Sequence, residues 1–234
     1  MDKELVSNTA LLDLLTFLSP SFPVGGYVYS HGIENAVEAG RIKNERDLCV
    51  WIRAILSSGA GRIDGGLFRL AWQAINEEDF EMLRRIIERG DILQGTAEIA
   101  LESTSQGKAF LDAVYSIRDY EQIRITKKIL LETERKITYA VATAVVLAAA
   151  DVSIKASLLG YFHSFVSNLV SAGVRLIPLG QSAGQRCIDL LKPAIKIQAE
   201  TSMRIDLEDL STASPIIEIA SMKHETQYTR LFRS

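Results

Sequence analysis

Ser171-Ala-Gly-Val-Arg-Leu-Ile-Pro-Leu-Gly-Gln-Ser-Ala-Gly-Gln-Arg186 follows one apolar run of helical spacing, residues 158–170, and leads into another, residues 188–197. Pro178 has no N–H and its ring crowds the preceding turn, so the first helix is disturbed here. Gly180 and Gly184 let the backbone turn tightly and approach a neighbour. Arg175, Gln181, Gln185 and Arg186 are thereby held as long polar groups at a break between two greasy helices. They fit a capped helix junction, with the arginine bonding orphan carbonyls. A contact surface is the alternative reading.

Helical spacing extends outward from this stretch in both directions. Prolines fall at 20, 23, 178, 193 and 215, so the middle of the chain has none. No Asn-Gly or Asp-Gly turn separates alternating apolar residues, as a hairpin would require. The chain reads as all-α. Thr9 is expected to cap a first helix with Leu11, Leu12, Leu15 and Leu18 on one side. After the irregular Ser19-Pro-Ser-Phe-Pro-Val-Gly-Gly26, a second helix is predicted from near Tyr27 to Gly40, and a third behind the N-cap Asn44. Gly59-Ala-Gly61 is expected to break the pattern, Asp64-Gly-Gly to open a helix, and residues 77–89 to form another ended by Gly90. Glu98, Glu102 and Gln106 form one polar stripe in the segment 91–117, and Lys128, Glu132 and Lys136 a solvated charge ladder. Residues 140–150 suit the centre of a bundle, and Ser214-Pro215 opens a last helix bearing Ile216, Ile217, Ile219 and Met222.

A chain of 234 residues is one large domain or two small ones, and it buries roughly 70–75% of its unfolded surface without a staple. No fixed-period repeat or low-complexity linker appears. The expected architecture is a single-domain helical bundle of about ten helices over residues 1–222, with residues 223–234 as a partner-docking tail. A net charge of −3 argues against nucleic acid or an anionic membrane as general partners. Residues 1–4 lack a basic region before an apolar core, so no secretory signal is expected. The greasiest run, 140–150, is about half the ~20 residues of a membrane span. Cys49 and Cys187 read as buried free thiols of a cytoplasmic protein.

Signs of chemistry are few. His31, His163 and His224 form no His-x-His or His-x-x-x-His pair, and no Cys-x-x-Cys occurs, so no built-in metal site is expected. His163, in an apolar helix, reads as a core residue. The glycine pairs at 25–26 and 65–66 lack the Lys-Ser/Thr of a phosphate loop, and no Gly-x-Ser-x-Gly elbow is present. Glu34, Glu98 and Glu102 suit solvated helix faces as well as acid–base work. The tail Lys223-His-Glu-Thr-Gln-Tyr-Thr-Arg-Leu-Phe-Arg-Ser234 joins aromatic side chains to arginines, a combination that interfaces favour over frayed ends.

Three stretches together resemble the urease accessory protein UreF family. Ser19-Pro-Ser-Phe-Pro-Val-Gly-Gly-Tyr-Val-Tyr-Ser-His-Gly-Ile-Glu34 is similar to its amino-terminal signature, Arg175-Leu-Ile-Pro-Leu-Gly-Gln-Ser-Ala-Gly-Gln185 to its central one, and His224 to Ser234 to its tail. Glu98-Ile-Ala-Leu-Glu-Ser103 with Gln106-Gly107 gives a weaker fourth match. The resemblance implies an all-α protein without catalysis of its own, acting in nickel delivery to apo-urease. It implies UreD (also called UreH) and the GTPase UreG as partners, a homodimer, no tightly bound cofactor, and nickel in transit through the partner complex. Carried onto this sequence, the partner-binding residues are Ser30 and Glu34; Arg175, Gln181, Gln185 and Arg186; and His224, Glu225, Gln227, Tyr228, Arg230, Phe232 and Arg233. A helical adaptor for other partners, or a small-ligand enzyme near residues 175–186 using Glu102 or His163, are the competing readings.

Overall fold

The computed structural model describes residues 7–234, so the reading of residues 1–4 lies outside the described residues. Among these residues there are eleven α-helices, two short 3-10 turns and no strand. In chain order the helices are α1 (Asn8–Phe17), α2 (Ile33–Glu38), α3 (Glu45–Ser58), α4 (Ala60–Asn76), α5 (Phe80–Ile92) and α6 (Ala97–Ile117). They continue with α7 (Glu121–Thr133), α8 (Tyr139–Ala149), α9 (Ile154–Leu176), α10 (Gln181–Ser202) and α11 (Pro215–His224). The all-α bundle is as its spacing implies.

The bundle is built around α8. Its alanines and valines face apolar neighbours on every side, and residues 140–148 are all buried. A helix apolar all round can be stable only inside. Small side chains let α4 and α6 pack closely along it, while α9 and α10 pack on each other and α3 packs on α10. Gly107 of α6 lies so close to the chain entering α8 that a methyl group there would overlap the Ile137 carbonyl oxygen and the Thr138 backbone. Helix starts are fixed locally. Asn44 Oδ1 accepts from Asp47 N–H at 3.0 Å and Asp79 Oδ1 from Met82 N–H at 2.9 Å.

Several local expectations are corrected. Ser7, not Thr9, caps α1, and Leu11, Leu12 and Leu15 are exposed while Ala10, Asp13 and Phe17 face inward. The helix expected from Tyr27 to Gly40 shrinks to α2, because His31 and Gly32 take left-handed backbone angles of 57° and 77° that no helix continues. Gly40 does end it, at φ 68°. Asp64, Gly65 and Gly66 lie inside α4, and Gly90 lies inside α5, since close packing fills the space where flexible glycine would otherwise break a helix. Lys136 falls beyond the end of α7, leaving Lys128–Glu132 (3.8 Å) as the remaining rung of the ladder. Of the four apolar residues named in α11, Ile217 is buried and Ile216, Ile219 and Met222 point to solvent. Cys49 and Cys187 are not free thiols: packing of α3 on α10 brings their Cα atoms to 5.9 Å and they form a disulfide. The 138 residues between them concealed that meeting.

Candidate functional site: the junction of three sequence motifs

Gly32 begins the site. Its positive φ and missing side chain let the start of α2 lie against the backbone of Ser221 in α11, where a Cβ would come within 3.1 Å of the Ser221 nitrogen. That approach sets Glu34, in the first turn of α2, opposite His224 at the end of α11. His224 is fully buried between two carboxylates, with Nε2 2.9 Å from Glu34 Oε2 and Nδ1 2.7 Å from Glu98 Oε2 of α6. Both ring nitrogens are therefore engaged, and the imidazole links α2 to α6 through two carboxyl groups.

The residues after α11 fold back across this group. Leu231 N–H and Phe232 N–H donate to Glu34 Oε1 and Oε2 at 2.6 and 2.9 Å. Arg230 donates to Glu98 Oε1 at 3.0 Å. Arg233 N–H donates to the Val28 carbonyl at 2.8 Å, and Ser30 N–H to the Ser234 carbonyl at 2.9 Å. The Ser30 hydroxyl also donates to that carbonyl, and Ser234 Oγ donates to Glu102 Oε2 at 2.6 Å. From the other side the Arg175 guanidinium lies over the rings of Tyr27 and Phe232, 3.7 and 4.4 Å from their centroids. Three stretches far apart in sequence therefore meet at one place.

Beneath the junction is a cavity of about 210 Å³. His31, Asp64, Glu102, Gln106 and Tyr161 supply polar groups to its wall. His31 Nδ1 is 3.4 Å from Glu102 Oε2, yet neither ring nitrogen is aligned for a hydrogen bond. Burial disfavours its charge, but Glu102 and Asp64 outweigh that and raise its pKa. Burial pushes the Asp64 carboxyl from 3.8 up to about 6, against the opposing pull of the Tyr161 hydroxyl, which donates to it at 2.9 Å, and of His31. The same burial, with Asp64 beside it, holds the Tyr161 phenol well above its ordinary value. Among the described residues no three His, Cys, Asp or Glu side chains are arranged to hold a metal ion.

The structure places the sequence-read residues in two groups. Ser30, Glu34, Arg175, His224, Arg230, Phe232 and Arg233 belong to the junction, and Gln227 joins them by accepting from Asn35 Nδ2 at 3.1 Å. Gln181, Gln185 and Arg186 are exposed on the first turns of α10, where Arg186 pairs with Glu45 at 2.7 Å. Glu225 and Tyr228 also face solvent, Tyr228 completely. His163, read as a core residue, is exposed on α9 because the buried faces of that helix are carried by Phe162 and Val166. Reading the Glu98, Glu102 and Gln106 stripe as a solvated face is also corrected. All three are buried: Glu98 meets His224 and Arg230, Glu102 accepts from Ser234, and Gln106 Nε2 donates to Glu102 Oε1 at 3.4 Å. Their i, i+4, i+8 spacing was the available signal, but the residues of the carboxyl-terminal segment that meet Glu98 and Glu102 lie more than 120 residues away. Asp64 reads from the sequence only as a helix opener, because nothing nearby in the chain marks it as part of a cavity wall.

The UreF family pattern matches residues 42–192. The chain belongs to the UreF family of urease accessory proteins. It is 39% identical over 227 residues to urease accessory protein UreF of Granulibacter bethesdensis, covering 97% of this chain and 95% of that one. UreF of Rhodopseudomonas palustris strain HaA2 is 40% identical over 225 residues, covering 96% and 94%. UreF of Bradyrhizobium diazoefficiens is 40% identical over 225 residues, covering 96% and 92%. The family pattern takes in the central motif, and the similarity to these relatives spans nearly the whole chain. No helix of the described residues is long and apolar enough to cross a membrane.

Proposed function

We propose that this chain serves urease maturation in the cytoplasm as a non-catalytic scaffold, a homodimer that bridges UreD (UreH) and the GTPase UreG while nickel passes to apo-urease. Nickel is the cargo of that complex, and the chain itself keeps no tightly bound cofactor. The observation that carries the reading is the convergence of all three UreF-like motifs on one junction whose outer face shows apolar side chains among arginines. The strap closing the junction buries His224 and Phe232 but turns Leu231 and Tyr228 outward, 66% and 103% exposed. Ile216, Ile219 and Met222 extend apolar surface along the outer side of α11. Exposed aromatic and aliphatic groups of this kind suit a protein interface. UreD is assigned to this face, and UreG to a different one.

The test separates folding from docking. Removing residues 223–234 takes away buried His224 and Phe232 and disturbs the junction itself. Leu231→Asp combined with Tyr228→Ala changes only outward-facing side chains. In cells expressing the urease operon, this double variant is expected to lose co-purification with UreD and to leave urease inactive, with its circular dichroism unchanged. Full urease activation by the folded variant would refute the assignment of this face.

A further inference from the structure

We propose that the groove between α6 and α7 is a docking site for an acidic amphipathic helix of a partner protein. Both helices pack on α8, and an open cleft of about 490 Å³ runs between them. Leu111 and Ile137 seal its floor, almost wholly buried, while Leu130 is half-buried. Leu131 and Leu101 stand in the cleft 81% and 55% exposed. Single exposed leucines need no explanation, but apolar side chains contiguous in one cleft and rimmed by charge mark an interaction site.

The rim decides the partner. Lys108, Lys127, Arg135 and Lys136 line the cleft against one carboxylate, Asp112, on a chain whose net charge is −3. Lys108 and Lys127 share that carboxylate, Lys108 at 2.6 Å. Arg135 reaches Asp91 at 3.6 Å, and Lys136 has no ion-pair partner among the described residues. The surplus is positive, at a place where the rest of the molecule is on balance negative. A leucine floor excludes a nucleic-acid backbone, which asks for charge alone, and a concave cleft does not suit a flat membrane. An amphipathic helix with leucines at i, i+3/4 and i+7 and carboxylates on its flanks satisfies both floor and rim. α7 has 13 residues, so a partner helix of about four turns matches its length. None of these residues touches the junction, and the inference stands whether or not UreD docks there.

The probe is a fluorescein-labelled synthetic helix of about four turns, leucine on one face and glutamate elsewhere, with a control in which lysine replaces every glutamate. Fluorescence anisotropy with the full chain is expected to show binding of the acidic peptide alone, weakened by salt. Leu131→Asp, an exposed change that leaves folding intact by circular dichroism, is expected to weaken binding roughly tenfold or more. Lys108→Glu combined with Lys136→Glu is expected to do the same and to remove most of the salt dependence. Absence of acidic-peptide binding, equal binding of the basic control, or an unaffected Leu131→Asp would each overturn the proposal. So would a dimer that Leu131→Asp dissociates while the peptide fails to bind, because the occupant is then a second copy of this chain.

Discussion

Glu34→Ala tests how the residues after α11 are held. The Glu34 carboxyl group accepts from Leu231 N–H and Phe232 N–H at 2.6 and 2.9 Å and is hydrogen-bonded to His224 Nε2 at 2.9 Å, in a side chain almost completely buried. Each hydrogen bond is worth about 1 kcal/mol net, and more where a charged acceptor is involved. Alanine also leaves His224 Nε2 buried without a partner. The summed loss is about 3 kcal/mol or more if the strap stays in place, so the strap should open and let water satisfy the freed groups. With tenfold per 1.4 kcal/mol, exchange of the Leu231 and Phe232 amides is expected to quicken roughly a hundredfold. Hydrogen exchange read by NMR or mass spectrometry resolves this, with the buried amides of α8 as an internal standard that should not move. Glu34→Gln keeps one acceptor oxygen and should fall between the wild type and alanine. Wild-type protection of Leu231 and Phe232 in Glu34→Ala would refute the argument that this carboxylate holds the strap.

Asp64→Asn addresses the cavity. A folded-state pKa of about 6 against 3.8 means the folded chain binds this proton more tightly than the unfolded one. The associated stability is complete below pH ~4 and is lost as pH rises through about 6, amounting to about 3 kcal/mol. Denaturant unfolding should show asparagine improving relative to wild type by that order between pH 4 and 7, and a constant difference would contradict it. Gly107→Ala forces a methyl into the Ile137 and Thr138 backbone and should destabilise by about 3 kcal/mol, seen as a lower urea midpoint. Arg175→Ala removes the cation between Tyr27 and Phe232, and should weaken strap docking by about 1–2 kcal/mol with faster Phe232 amide exchange. An unchanged exchange rate would show the stacking to be incidental.

The outcomes at the junction turn on what anchors each side chain. Ser30, Glu34, Arg175, His224 and Phe232 were legible as a group because each sits in an irregular or motif-bearing stretch, where a polar or aromatic residue has no local reason to be. Their arrangement was not legible. His224 looked like one of three isolated histidines, and its place between Glu34 and Glu98 depends on α2, α6 and α11 arriving together. The same applies to Gln181, Gln185 and Arg186, which share a motif with Arg175 but lie on the exposed start of α10, outside the junction.

The sequence by itself determined the helical class, the central place of α8 and most helix starts, because apolar periodicity and capping act over a few residues. It also determined the family, through three motifs kept in order. Tertiary structure alone decided that Glu98, Glu102 and Gln106 are buried, that α1 and α11 show apolar faces to solvent, and that Cys49 meets Cys187. A helix carries more than one face able to be buried, and which one is chosen depends on neighbours brought from far along the chain. Charged groups can go inside only where those same neighbours supply their partners.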